Sequence, residues 1–232
     1  EKYDVLRRRR KSEIPNLFRE RERLLLSPYP GEEALGEDAP VIGIPRCLTF
    51  HEFMPFWRAF FAELGFRVVL SDPTNKELIR KGVEAVVAET CFPIKVAHGH
   101  VLNLMERGIR RIFVPSVVGV PRMREDFEHS QTCPYVQAFP YVVRSAIPFE
   151  QHGVEALTPV VPFGWGEEEV EEALIEFGKE LGRSPSQVRW AIRRAWDFYH
   201  RFQRALKARG RQVLKELKDW ERAMVIVGRP YN

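Results

Sequence analysis

The sequence predicts an α/β fold: a Rossmann-like doubly wound parallel sheet, with an N-terminal helical segment before it and a C-terminal long-helix segment after it. Three observations predict it. Short β-rich runs recur from residue 41 onward, amphipathic stretches of helical length lie between them, and past residue 166 the chain changes to long helical periodicity without strands. Strand–helix–strand alternation at this spacing implies parallel pairing with right-handed crossovers.

Residues 1–35 form the first segment. Charged residues alternate with Leu6, Ile14, Leu17, Phe18 and Leu24 at roughly helical spacing, interrupted at Pro15, which predicts one kinked or two short helices. The stretch SPYPGEEALGEDAP is a linker, dense in Pro and Gly. Residues 36–165 form the α/β domain. Its expected strands are VIGI at 41–44, FRVVLS at 66–71, AVVAET at 85–90, RIFVPS at 111–116 and a weaker TPVVPF at 158–163. Between the first four lie EFMPFWRAFFAELG, NKELIRKG and PIKVAHGHVLNLMERG, each closing on a glycine as a helix C-terminus prefers. Residues 166–223 read as two helices, the second running from Pro185 to Arg222. Its Trp190, Trp196, Phe198, Phe202, Leu206 and Val213 recur at mostly three- and four-residue steps, the pattern of a helix packed along one face. Residues 224–232, MVIVGRPYN, resemble VIGIPR at 41–46 and predict the first strand of a second α/β unit, so the chain is expected to be an excised piece of a longer polypeptide.

Composition narrows the function. Hydrophobic residues at 44% and charged residues at 29% are ordinary globular values, so a folded core is expected. The net charge of +4 arises largely from the run RRRRK at 7–11, while the other charges mix in sign along helical faces, and nucleic-acid binding is not expected. No unbroken apolar stretch of about 18 residues occurs, and the N-terminus lacks the apolar core of a signal peptide, so the protein is expected to be cytoplasmic and free of membrane spans. Three widely spaced cysteines argue against a disulfide framework and leave thiols for metal or redox chemistry.

Ligands of an open parallel sheet gather outside the carboxyl ends of its strands. The predicted topology puts all three cysteines there: Cys47 just past VIGI, Cys91 directly after AVVAET, and Cys133 in the connection after RIFVPS. Pro93 and Pro134 follow Cys91 and Cys133 closely, and Pro favours the first helical positions, so each thiol is expected at a helix N-terminus, where partial positive charge favours thiolate. The competing reading of each cysteine is a small buried hydrophobe, and the spacing matches no CxxC-type zinc or ferredoxin pattern. His98 and His100, two apart on one helix, point in different directions, so at most one is expected to face the thiol edge. Lys95 and His51 are further candidates for that edge, and Arg46 for holding a phosphate or carboxylate, each against the plainer outcome of a packed or solvated side chain. The aperiodic stretch 119–134 reads as a lid or partner surface. No GxGxxG, Walker A, HExxH or GxSxG signature is present.

The motifs IGIPRCLTFHEFMPFWRAFFAELGFRVVLSDPT, ETCFPIKVAHGHV, IFVPSVV and CPYVQAFPYVV resemble, in order, the domain of acyl-CoA dehydratase activase-related proteins. That family is related to 2-hydroxyacyl-CoA dehydratase subunits and double-cubane-cluster reductases. The resemblance implies a 4Fe-4S type iron–sulfur cluster held by Cys91 and Cys133, electrons driven in by an ATPase activase module of the same or a partner chain, and an acyl-CoA substrate in anaerobic metabolism. Relatives often carry a further cysteine where this chain has Ser116, and serine is a poor cluster ligand. Three readings follow: a cluster completed by Cys47 or from a downstream unit, a cluster-free binding or docking module of the same fold, and a mononuclear zinc site using Cys91, Cys133 and one histidine.

Overall fold

The computed structural model describes residues 15–122, 126, 130–218, 224 and 228. The helix expected before Pro15 and nearly all of the expected strand 224–232 lie outside the described residues, as does the middle of 119–134.

β1 (Val41–Ile44) is the hub of a parallel sheet, flanked on one side by β2 (Arg67–Leu70) and on the other by β3 (Arg111–Phe113), with β5 (Glu155–Leu157) beyond, in the order β2-β1-β3-β5. The expected strand 111–116 breaks at Pro115, which has no N–H to give a ladder. The chain resumes as β4 (Ser116–Gly119), paired in parallel with β6 (Val160–Pro162). β5 was not expected from the sequence; its exposed Glu155 breaks the apolar pattern, and it is held by pairing with β3 in full register.

The doubly wound character is visible residue by residue. Phe113 joins the core on one face of the sheet, whereas Ile112 and Val114 join the core on the other, as the period-two geometry of a strand requires. The first face is covered by α1 (Leu17–Leu25), α2 (Phe50–Glu63), α7 (Glu167–Glu180) and α8 (Pro185–Glu216); the second by α4 (Phe92–Glu106), the short α5 (Pro134–Gln137) and α6 (Phe139–Ala146). α8 begins with Ser184 and Gln187 in a reciprocal capping box and Pro185 at its start, and ends at Glu216 rather than at Arg222. Within α2, Pro55 removes the hydrogen bond that the carbonyl of His51 would accept, and the guanidinium of Arg21 from α1 donates to that carbonyl instead.

The expected strand 85–90 does not form. α3 (Lys76–Ala85) continues past Gly82, the residue expected to end it, and residues 86–90 link it irregularly to α4. The packing of the two helices holds this link: α3 and α4 lie so close that a Cβ on Gly82 would lie 2.1 Å from the Lys95 carbonyl oxygen and one on Gly99 2.1 Å from that of Leu78. Gly82 is therefore a contact glycine inside a helix. Gly65 and Gly108 behave as expected, following α2 and α4 at positive φ, and Gly182 follows α7 in the same way.

Candidate functional site

The crevice between the carboxyl ends of β1 and β3 is the point where the chain reverses direction across the sheet, the place where open α/β sheets bind ligands. A cavity of about 30 Å³ lies there, roughly one water in size, between Pro45 and Cys47 after β1, Val114 and Pro115 after β3, and Phe139 of α6. The turn that forms it is tight. Cys47 N–H donates to the Pro45 carbonyl at 2.8 Å, and Leu48 stands at φ 51°, a left-handed conformation that costs a non-glycine residue about 1–2 kcal/mol.

Cys47 is half-buried against the second core, and burial pushes its thiol well above the ordinary cysteine range. Cys91 and Cys133 differ from it in setting. Cys91 is exposed at the N-cap of α4, and Cys133 is half-buried at the N-cap of α5, with Pro93 and Pro134 in the following first turns. Because α4 feeds β3 through a short link, it runs against the strand, and its N-terminus lies at the carboxyl edge although no strand precedes it. Around Cys91 the apolar side chains of Val87 and Phe92 are exposed, as is Tyr135 beside Cys133.

The other candidates are committed to structural partners. The Arg46 guanidinium donates to Glu22 of α1 at 2.9 Å, and its backbone N–H donates to Ser71 Oγ at 2.8 Å. Lys95 Nζ pairs with Glu89 at 2.5 Å. Ser116 is buried and donates to the Gln137 carbonyl at 2.7 Å, tying β4 to α5. His100, fully buried, lies 2.8 Å by Nδ1 from Ser71 Oγ and 3.0 Å by Nε2 from Thr74 Oγ1. His98, also fully buried, donates from Nδ1 to the Ile94 carbonyl at 2.8 Å and meets the Phe139 ring edge-on, while its Nε2 has no partner among the described residues. The two histidines diverge as their spacing predicts, one toward the end of β2 and one toward α6.

Sequence reasoning passed over the polar set after β2. Asp72 exchanges two hydrogen bonds with the Asn103 side chain, both at 2.9 Å, and together with Ser71 and Thr74 it pins α4 to this edge. The signal was present: SDPT directly follows a strand, where side chains meet the crevice.

Burial above all, then the nearby positive groups, lowers His51 and His100 from 6.5 to about 4, and burial lowers His98 as well. The unfolded chain therefore binds more protons than the folded one between those values, and stability falls as the pH drops from 6.5 toward 4. For His100 the difference corresponds to roughly 3 kcal/mol; His51 contributes to that depression, so the two effects do not add. Urea unfolding between about pH 7 and about pH 4 is expected to show this decline. It should be shallower in His100→Asn, and an unchanged slope would remove His100 as its source.

Among the described residues no group of three or more His, Cys, Asp or Glu side chains is placed to hold a metal ion. Ser116 is engaged by the Gln137 backbone carbonyl. The chain's own described residues do not make a complete ligand set.

Fold and site together define a doubly wound α/β domain whose carboxyl edge carries two cysteines at helix N-cap positions and a buried histidine network. The chain belongs to the family described as the CoA enzyme activase uncharacterised domain, whose model matches residues 41–232. This agrees with the resemblance carried by its motifs, and it supports an activase-related α/β domain. No curated protein and no solved structure matches the chain. No helix among the described residues is long and apolar enough to cross a membrane.

Proposed function

We propose that this chain is a docking unit of a CoA enzyme activase-related protein, working with a dehydratase partner and an ATPase activase module in low-potential electron transfer to a CoA-linked substrate. The observation that supports it is the state of the carboxyl edge. Arg46, Lys95, Ser116 and His100 are paired within the chain, while Val87, Phe92 and Tyr135 present apolar surface around Cys91 and Cys133. Polar groups already satisfied internally leave little to bind a small substrate, whereas an exposed apolar rim suits a protein surface.

A second reading is favoured by the two cysteines at helix N-cap positions. Cys91 and Cys133 both head helices and would donate two ligands to an iron–sulfur cluster whose remaining ligands come from outside the described residues. Anaerobic incubation of this chain with iron and sulfide separates the two. The docking reading expects no visible-region absorbance and no bound iron. About four irons per chain, lost in Cys91→Ala and Cys133→Ala, would replace it with the cluster reading. Metal analysis of protein purified without oxygen tests the zinc alternative, which requires a zinc that Cys91→Ala removes.

A further inference from the structure

α7 and α8 carry opposite charge. The sequence predicts charges of mixed sign along the helical faces, whereas on this pair they segregate: α7 holds seven glutamates and one lysine, and α8 holds nine Lys or Arg against two acids, Asp197 and Glu216. The buried side of α8 runs through Val188, Ala195, Tyr199, Phe202 and Val213. The opposite side carries Arg193, Arg201, Arg204, Arg211 and Lys215, all exposed. Arg201 lies over the Phe198 ring at 5.4 Å, while Arg204, Lys207, Arg211 and Lys215 have neither an ion pair nor a hydrogen bond among the described residues. On α3, by contrast, the exposed Arg80 is gripped by Glu77 and Glu84, the ordinary pattern of a solvated helix.

The acids are as poorly matched as the bases. Glu168 and Glu172, one turn apart on the outer side of α7, are exposed and have no ion pair among the described residues. α7 packs on the first turns of α8: a Cβ on Gly178 would lie 2.2 Å from Val188 Cγ2, and Arg189 pairs with Glu171 at 2.7 Å. The surplus acids therefore sit at one end of α8 and the surplus bases at the other. The basic half is held to the body of the fold, since Arg209 donates to Glu20 of α1 at 2.5 Å.

We propose that this face is an interface between two copies of the chain, in which α8 of each copy lies antiparallel to α8 of the other and its bases meet the α7 acids opposite. A two-fold axis across the middle of α8 makes such a contact self-complementary, whereas a parallel arrangement sets bases against bases. The 32 residues of α8 make a strip about 48 Å long and about 10 Å wide, roughly 480 Å² per copy. That falls short of the roughly 800 Å² per partner of a standard interface, so the contact must extend onto α7. A nucleic-acid backbone would suit the bases alone, but the acids of α7 at the other end of the same helix repel it. The inference does not depend on the docking reading, since no residue of the thiol edge takes part.

Analytical ultracentrifugation of the chain at about 50 mM and about 500 mM salt tests it. A dimer is expected at the lower salt, with a dissociation constant at least about tenfold weaker at the higher. Reversing the bases with Arg204→Glu and Arg211→Glu, or the acids with Glu168→Lys and Glu172→Lys, is expected to weaken the dimer about tenfold or more, because each change counts twice across a two-fold axis. The two reversed variants mixed one to one are expected to form a heterodimer, and a chain carrying all four changes to dimerise as the original does. All four side chains are exposed, and circular dichroism verifies that the variants fold. A chain that remains monomeric at about 100 μM in low salt overturns the proposal, as does a dimer indifferent to either reversal or a mixture that fails to pair. A monomeric chain that binds oligouridylate RNA, and loses that binding with Arg204→Glu and Arg211→Glu, overturns it in favour of a polyanion.

Discussion

Replacing Trp57 with alanine is expected to cost about 3–5 kcal/mol, the range for deleting a large aromatic from a packed core. Trp57 is 2% exposed and sits where α2 meets the sheet, with its ring 4.6 Å from Phe113 of β3 and 5.6 Å from Phe163 after β6. It also walls the small cavity beside Cys47, so truncation would merge two empty spaces that the surrounding rings cannot close. Against a total stability of roughly 5–15 kcal/mol for a domain, that loss leaves the folded state marginal. Urea denaturation at neutral pH measures it. Trp57→Phe should recover most of the lost stability, and a cost under about 1 kcal/mol for the alanine variant would show that this aromatic cluster does not hold the sheet to α2.

The second large effect belongs to a single added methyl. Gly99→Ala is expected to destabilise by about 1–3 kcal/mol or more, although alanine is favoured over glycine within a helix by about 1 kcal/mol. The sign is what discriminates, because the new Cβ would lie 2.1 Å from the Leu78 carbonyl oxygen, an unyielding backbone atom. α3 and α4 would have to move apart, loosening the bonds from His100 to Ser71 and Thr74. The pKa of His100, read by NMR, should then rise from about 4 toward its ordinary 6.5. A stabilised variant with an unshifted histidine would mean that the two helices do not meet at this glycine.

The opening of α4 shows where sequence reasoning succeeds. Cys91-Phe92-Pro93 announces a helix start because proline's missing N–H and fixed φ fit a first turn, and α4 begins there. The same local logic placed the starts of α5 and α8 and the glycine stops of α2 and α4. Residues 85–90 show where it fails. AVVAET has the composition of a strand, but a strand exists only where a neighbour pairs with it, and the close approach of α3 to α4 holds this stretch as an unpaired link between them. His98 and His100 were legible as diverging, yet their partners come from residues separated along the chain: Phe139 for the first, Ser71 and Thr74 for the second. Cys47 was read as a thiol at the same edge as the others, and only the tertiary structure shows that it and Cys133 pack against the second core while Cys91 stands exposed.

The sequence by itself determined the α/β class, the winding of helices on two faces, most element boundaries and the family. These depend on periodicity, capping and turn chemistry, which act over a few neighbouring residues. Tertiary structure alone decided which polar groups at the carboxyl edge are already spoken for and, among the described residues, that no three metal-ligating side chains converge and that Arg204, Lys207, Arg211 and Lys215 find no carboxylate. Those outcomes depend on distances between elements far apart in the chain, and such distances are fixed only when the sheet order and the close approach of the helices have been set.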